Sequence, residues 1–239
     1  MKQSFKLTSE PLYERAYKAV LQMILAGTLK AGQKVTEAFL AELLAVSPTP
    51  VREAMRKLEH DGLLEPVGRN TVRITKLSQQ DVEDLYSCRQ ALEVMGLRLA
   101  IGKLDKKALQ GLDRLLHEAE QAAERNDAVE LLRKNTQFHD QLIEASENSW
   151  LMSLVGFVRR PLGLARIQIT FNQTEVKRIL ADHRTILKWI EKRDVRKAIL
   201  AMRKHMLADC KYMIQELKEV SQGSLETVDD TVDVTPPLA

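Results

Sequence analysis

The chain has 239 residues, 44% of them hydrophobic, and a formal net charge of +3, which is enough material for about two domains with their own cores. No apolar run approaches the roughly 18 residues of a membrane-spanning helix, and residues 1–9 lack a signal-peptide or transit-peptide pattern. The sequence therefore argues against a membrane or exported protein and predicts a soluble, cytoplasmic one. Cys88 and Cys210 fit no metal-binding or redox spacing, so we expect two buried thiols.

Charge is distributed unevenly along the chain. Residues 1–77 hold 12 Lys or Arg against 8 Asp or Glu, a net charge of +4. A basic N-terminal part suits the phosphate backbone of a nucleic acid. After Val220 the chain has acidic residues and no basic one, so we expect a disordered acidic tail over residues 221–239.

The first predicted helix spans residues 12–26, and the residues that should form its inner face are Tyr13, Ala16, Tyr17, Val20 and Ile24. A second helix is predicted from Glu37 to Leu44, with Leu40, Leu43 and Leu44 on one face. Residues 45–47 then break the pattern over the length of a helix-turn-helix turn. The third helix runs to about Asp61, and Ser47 opens it with a hydroxyl that can cap its free amides.

The third helix has an apolar face and a basic flank. Residues that should face the core recur at helical spacing: Val51, Ala54, Met55 and Leu58. An advance of about 100° per residue from this stripe places Thr49, Arg52 and Arg56 together on an exposed flank. Arginine can grip a guanine edge or a phosphate, and a hydroxyl can contact a phosphate. We therefore predict a recognition helix that binds DNA through these three residues and through Ser47 at its start.

A short hairpin is predicted after Gly62. Residues 63–67 and 71–74 have strand-like composition and flank Gly68-Arg69-Asn70, which indicates a two-stranded wing with Arg69 offered to the minor groove or backbone of DNA. Taken alone, Arg52 or Arg56 is explained equally well as a solvated surface residue. The order helix, turn, helix and wing favours a winged helix-turn-helix DNA-binding domain, which we assign to residues 1–77.

The run from Val46 to Leu63 (VSPTPVREAMRKLEHDGL) resembles the signature of the GntR family of bacterial transcription regulators, and so does GTLKAG at residues 27–32. In that family the run usually reads S-R-T-P-V-R-E-A-L. Pro48 therefore stands where an arginine that contacts DNA is common, whereas Arg52 matches the second such arginine. Ala31 replaces a common proline. The resemblance implies a repressor, the family's commoner mode, although activation stays open. A single recognition helix reads few base pairs, so we expect a homodimer on a palindromic operator in double-stranded DNA.

From Ser78 onward the pattern is helical throughout. Ser78 and Asp81 are spaced as a capping box that opens the first of these helices. The predicted helices are 78–102, 105–125, 127–146, 149–170, 174–192 and 194–220. Such short links predict an antiparallel all-α bundle over residues 78–220, and the whole protein is mainly α.

Four polar residues in the bundle form a candidate metal site. Asn135 and His139 lie four apart on one helix, while His183 and His205 lie in the last two helices. Neutral imidazole suits Zn, Ni, Fe or Mn ions, so a divalent transition metal is a coherent hypothesis. The alternative, which spacing alone favours, is that each histidine is an ordinary core or surface residue.

These positions resemble the metal ligands of the FCD ligand-binding domain, found in the fatty-acid-regulator (FadR-type) subgroup of the GntR family. That pattern places Asp, Phe-His, His and His on three helices; here Asn135 replaces the aspartate, and His139, His183 and His205 match. Asp84-Leu85-Tyr86 with Arg89 and Glu93 likewise resembles the opening helix of that domain. The resemblance covers about residues 12–220.

The Asn135 replacement has an electrostatic consequence. An amide carbonyl cancels none of a metal's charge, so a bound divalent ion would keep its formal +2 and attract an anion. We therefore expect a small carboxylate effector, held by the metal and by a cation such as Arg89. The alternative for Arg89 is an intrahelical ion pair with Glu93, and both interpretations stay open.

Together these patterns predict a metabolite-responsive transcription regulator and not an enzyme. A metalloenzyme that uses His139, His183 and His205 as ligands is an alternative. It lacks a clear general base, because Asp140 and Asp182 are expected to face away from the ligands. A helical interaction scaffold is a third interpretation, which predicts neither a metal nor specific DNA binding.

Overall fold

The computed structural model describes residues 10–167, 169 and 172–225, with the backbone alone at 164, 167 and 220–225. Its elements in chain order are α1 (Leu12–Leu25), β1 (Lys34–Thr36), α2 (Glu37–Leu43), α3 (Pro48–His60), β2 (Leu64–Gly68), β3 (Thr71–Ile74), α4 (Gln79–Ala100), α5 (Lys106–Glu124), α6 (Ala128–Glu144), α7 (Ser149–Ile167), α8 (Gln173–Glu191) and α9 (Val195–Leu225). The fold is thus a small head with a sheet, followed by a helical bundle, as predicted. Among these helices, none is both long and apolar enough to cross a membrane.

The head contains one strand more than the predicted wing. The sheet has the order β1-β3-β2, with both pairs antiparallel, and Val35 of β1 lies opposite Val72 of β3. Strand β1 escapes sequence analysis because three residues are too few to show an alternating pattern. Its pairing joins the wing to the start of α2, so the hairpin is anchored to the helix-turn-helix.

The turn between α2 and α3 differs in detail from the prediction. Ser47 is the N-cap residue of α3, but its side chain makes no capping hydrogen bond. Pro50 occupies the third position of the helix and has no N–H to donate, which removes one of the two usual donors to a capping hydroxyl. The Ser47 hydroxyl is therefore left for another partner.

The core of the head confirms the inner face predicted for α3. All four predicted residues are buried there. On α2, however, Leu43 is 46% exposed, and Ala41 is buried next to Leu40 in its place. A helix of seven residues buries only a narrow stripe, so one of the three predicted leucines falls outside it.

The bundle begins at the predicted capping box. The Ser78 side chain accepts from the backbone of Asp81, and the Asp81 side chain accepts from the backbone of Ser78. Helix α4 packs against α6, α7 and α9, while α8 packs against α5 and α9. The predicted links at Asn126, Glu147 and Arg193 all turn through residues with positive φ. The apolar core lies between these helices, around Phe138 and Ile186.

Three predictions for the bundle and the tail need correction. Helix α9 reaches Leu225, so the predicted tail cannot begin at residue 221, and the rest of that tail, residues 226–239, lies outside the described residues. The helix predicted to end at residue 170 ends at Ile167. Cys88 is exposed and only Cys210 is buried, contrary to the expectation of two buried thiols.

Candidate DNA interface and candidate metal centre

A groove of about 600 Å³ runs between α3 and the wing, and we call it the DNA groove. Arg52 and Arg56 line it from α3, and Arg69 lines it from the turn between β2 and β3. Ser47 and Thr49 are exposed at the start of α3 and do not line the groove. The structure therefore brings the three predicted arginines to one cavity and leaves the two hydroxyls at the tip of the recognition helix.

Arg52 is held by an acid that sequence analysis missed. Its Nε donates to Glu37 Oε2 at 2.9 Å and its Nη2 donates to Glu37 Oε1 at 2.7 Å. Glu37 is mostly buried at the start of α2, and the hydrogen bond from Arg52 lowers the pKa of its carboxyl group. This bidentate contact orients the guanidinium plane and leaves Nη1 for a base or phosphate. The pair of Glu37 and Arg52 could not be predicted from a local sequence pattern, because the two residues lie on different helices.

His139 of α6, His183 of α8 and His205 of α9 meet in the middle of the bundle, and we call them the histidine cluster. All three side chains are fully buried. Nε2 of His183 lies 3.1 Å from Nε2 of His139 and 3.1 Å from Nε2 of His205. Burial lowers the pKa of His139 to about 3 and that of His183 well below its ordinary value, so both rings are neutral at pH 7.

Glu93 of α4 determines which nitrogen of His139 carries the proton. Its Oε2 lies 2.6 Å from Nδ1 of His139 in a fully buried contact. Burial alone would raise the pKa of Glu93, but the charges of Arg159 and Arg89 hold it well below its ordinary value. An ionised carboxylate can only accept, so Nδ1 is the donor and Nε2 keeps its lone pair. His183 Nε2 lies close to Nε2 of both other histidines, and a single proton on it can be donated to only one of them. A cation between the rings would relieve the repulsion between nitrogen lone pairs that remains.

Asn135 lies one helical turn before His139 and is buried. Neither Oδ1 nor Nδ2 of Asn135 has a hydrogen-bond partner among the described residues, and the same holds for Nδ1 of His183. A buried amide without partners costs about 1–3 kcal/mol, so these atoms mark a place where a bound group is expected. The donor set, three imidazoles and one amide oxygen, fits a divalent transition metal.

Arg89 is buried beside Glu93, its neighbour one turn along α4. Nε of Arg89 donates to Glu93 Oε1 at 2.6 Å, so the intrahelical pair that sequence analysis left open does form. That contact engages only Nε. Its guanidinium carbon also lies 5.5 Å from the centre of the Tyr86 ring.

Two aspartates next to the histidines in sequence behave differently from each other. Asp140 faces away from the cluster and pairs with Arg159 on α7. Asp182 was expected to face away as well, but its Oδ2 lies 3.6 Å from Nδ1 of His205. The prediction failed because it considered Asp182 only against its neighbour on α8, whereas His205 approaches from α9.

Comparison with known proteins decides the family. Residues 12–74 match the gntR family of bacterial regulatory proteins, and residues 84–208 match the FCD domain. The chain belongs to the GntR family. Over 217 residues it is 34% identical to the uncharacterized HTH-type transcriptional regulator YdhC of Bacillus subtilis (strain 168), and the match covers 90% of this chain and 97% of YdhC. It is 26% identical over 170 residues to the HTH-type transcriptional regulator McbR of Escherichia coli (strain K12), covering 70% of this chain and 77% of McbR.

A solved structure shows the same fold. Escherichia coli McbR/YncC superposes with a TM-score of 0.72 at 22% identity, over 87% of this chain and 99% of that one. The resemblance to GntR regulators with an FCD domain, stated above from sequence motifs, is thereby confirmed. GntR-family proteins and these relatives are transcription regulators and not enzymes, so the metalloenzyme alternative is not favoured.

The first prediction concerns Glu93, whose charge faces two buried or nearly buried arginines. We expect Glu93→Gln to lower the free energy of unfolding by about 3–5 kcal/mol, because it leaves Arg89 and Arg159 without their shared counter-ion. Urea denaturation followed by tryptophan fluorescence measures this, since both tryptophans, Trp150 and Trp189, lie in the bundle.

Glu147→Gln is the matched control for that experiment. Glu147 pairs with Lys103 at the surface and its side chain is 73% exposed. Its loss should change stability by less than about 0.5 kcal/mol. Equal unfolding midpoints for the two variants would contradict the role assigned to Glu93.

Proposed function

We propose that this GntR-family regulator is a homodimeric, cytoplasmic repressor that a small carboxylate controls through a metal held in its bundle. The observation that carries the proposal is the fully buried histidine cluster, in which three imidazole rings converge on one point beside an unpartnered amide. The family establishes that the protein binds DNA and regulates transcription. The operator, the metal, the effector and the dimer are our proposals.

In this proposal five residues bind the operator: Ser47, Thr49, Arg52, Arg56 and Arg69. Arg52 supports base recognition best, because Glu37 fixes its plane before DNA binds and so reduces the entropy lost on binding. Pro48 has neither a charge nor an N–H, so Ser47 and Thr49 are left to contact phosphate at the helix tip. Arg69 on the wing is placed to reach the backbone or the minor groove.

An apolar stripe on α7 supports the homodimer. Trp150, Leu154 and Phe157 follow one another at i, i+4 and i+7, hence on one face of the helix, with exposed fractions of 80%, 51% and 49%. Exposed apolar patches of this kind mark interaction surfaces. A second copy of the chain is the occupant that fits, because a two-fold dimer presents two recognition helices to the two halves of a palindrome.

The metal would be held by His139, His183 and His205 through nitrogen and by Asn135 through its amide oxygen. When bound, the ion would supply a positive charge that attracts a carboxylate. The chain does little to cancel that charge, because the nearby buried acids are engaged by arginines: Glu93 by Arg89 and Arg159, and Asp209 by Arg166 and Arg178.

Arg89 is the proposed cation for the effector. Only its Nε is committed to Glu93, and the terminal Nη groups have no hydrogen-bond acceptor in the described part of the chain. Burial would lower its pKa, but the charge of Glu93 keeps it raised, so Arg89 stays charged. A buried guanidinium with free terminal donors is suited to a planar carboxylate. In this proposal the dimer has two arrangements of its heads, which differ in operator affinity. Effector binding changes operator affinity by the difference between the effector's binding free energies for these two arrangements.

Operator binding is tested by a genome-fragment selection with wild-type protein and Arg52→Ala at physiological salt. We expect wild type to enrich a short palindrome and Arg52→Ala to lose about 1–3 kcal/mol of binding free energy toward it. Arg133→Ala is the control, since Arg133 pairs with Glu130 on the surface of α6, away from the DNA groove. Equal enrichment by wild type and Arg52→Ala would refute the assigned role.

The metal site is tested by titrating Zn²⁺, Ni²⁺ and Mn²⁺ into chelator-treated protein in a calorimeter. His183→Ala should bind at least about 10-fold more weakly than wild type. Asn135→Asp should bind more tightly, because a carboxylate cancels one unit of charge. His117→Ala is the control, since His117 is exposed on α5.

The effector is tested by thermal unfolding, in which small carboxylates should raise the melting temperature of wild type only with metal present. If the protein neither binds metal nor responds to carboxylates, the metal and the effector are removed from the proposal.

The dimer is tested by Leu154→Glu, which places a charge in the middle of the α7 stripe. Sedimentation equilibrium should give wild type at twice the chain mass of 27.2 kDa and the variant at that single mass. Val129→Glu is the control, because Val129 is 80% exposed on a different helix. A dimeric Leu154→Glu variant would show that the two copies meet elsewhere.

A further inference from the structure

The head and the bundle are joined by an ion pair at the end of the recognition helix. Nη1 of Arg160, on α7, donates to Oδ1 of Asp61 at 2.8 Å. Asp61 is the C-cap residue of α3, and its side chain is only 8% exposed. The bundle therefore holds the helix proposed to read DNA by a charged contact at its C-terminal end.

The other contacts around this ion pair are also close. Tyr17 of α1 donates to Oδ2 of Asp61 at 2.8 Å, and burial together with that bond raises the pKa of Tyr17 to about 12, so the phenol keeps its proton. Gly62 has φ +72, and a Cβ at that position would lie 3.1 Å from Cγ of Pro161. The end of α3 thus lies against α7 with little free space, and a displacement of α7 should be felt by α3.

The residue before Arg160 connects α7 to the histidine cluster. Nε of Arg159 donates to Oε1 of Glu93 at 2.9 Å, and Arg159 also pairs with Asp140. The other oxygen of Glu93 lies 2.6 Å from Nδ1 of His139. Consecutive residues of a helix point about 100° apart, which is why Arg159 can face the bundle while Arg160 faces the head.

We propose that Arg159 and Arg160 together form a positioning link by which occupancy of the histidine cluster changes the placement of the recognition helix. The inference rests on the proposed function, because it needs a metal to bind at the cluster. Glu93 contacts His139 through one carboxylate oxygen and Arg159 through the other, so a movement of the His139 ring shifts the carboxylate that holds Arg159. Arg160 then transmits a shift of α7 to Asp61.

A merely structural role for the ion pair makes a different prediction. If Arg160 only docks the head on the bundle, its removal loosens α3 equally with and without metal. If Arg160 belongs to a link, its removal abolishes the effect of metal on α3 and leaves the effect of metal on the bundle intact. Linkage is reciprocal, so the same variant should also uncouple metal binding from operator binding.

Hydrogen exchange measured by mass spectrometry on the full chain separates these roles. Chelator-treated protein is compared with and without Zn²⁺, and exchange is read at residues 48–62 of the head and around His139 and His183 in the bundle. In wild type, Zn²⁺ should slow exchange in the bundle and change exchange at residues 48–62 by about 2- to 30-fold, the range of modest allosteric couplings.

Variants of Arg160 test the link itself. Arg160→Gln should keep the Zn²⁺ response of the bundle and lose that of residues 48–62. Arg160→Lys should keep both, because one ammonium donor can replace the single Nη1 contact with Asp61. Arg133→Gln should behave as wild type, since its ion pair with Glu130 is remote from α7.

The outcomes separate this inference from the proposed function. A bundle that responds to Zn²⁺ in wild type while residues 48–62 do not would overturn the link and leave the metal site standing. Arg160→Gln with a wild-type head response would overturn the link as well. A bundle without any Zn²⁺ response would refute the proposed metal site, and the link with it.

Discussion

The carboxylate of Glu93 is the interaction on which the centre of the bundle depends. One oxygen contacts the ring of His139, and the other accepts from Arg89 and Arg159. A buried charge is tolerated only while its partners stay in place, because removing one of them leaves an uncompensated ion at a cost of several kcal/mol. The Glu93 carboxylate of α4 therefore connects α4 to α6 and α7. Its contact with Nδ1 also fixes the orientation of the His139 ring.

The head uses the same arrangement of a buried acid with a more exposed arginine. Glu37 holds Arg52 at the DNA groove, and Asp61 holds Arg160 at the contact with the bundle. Ion pairs of this exposure contribute little to stability, so their value lies in orientation. A guanidinium has a fixed fork geometry, and a carboxylate that grips it determines where its remaining donors are available.

Electrostatics also links the histidine cluster to the kind of effector proposed. Burial keeps the rings of His139 and His183 neutral, which is the form that binds a metal. Asp209, which lies 3.6 Å from His205, is itself held by Arg166 and Arg178. Burial would raise its pKa, but its electrostatic interactions with His205 and Arg166 keep it lowered. With Asn135 neutral and the acids engaged by arginines, an anion is the partner that would balance a bound cation.

The sequence by itself determined the helices and the wing, and it gave the residue types of the candidate site. Helical spacing, the capping box at Ser78 and the breaks between helices are local patterns, so the helices of the bundle could be placed within a few residues. The histidines were identified as candidates by their residue type and by a family motif. Only the tertiary structure decided that the three histidines meet, that β1 joins the wing, that Asp182 faces His205, and that Glu37 and Asp61 hold arginines from other elements. The physical reason is that a contact between residues far apart in the chain has no periodic signature and depends on how separate helices pack.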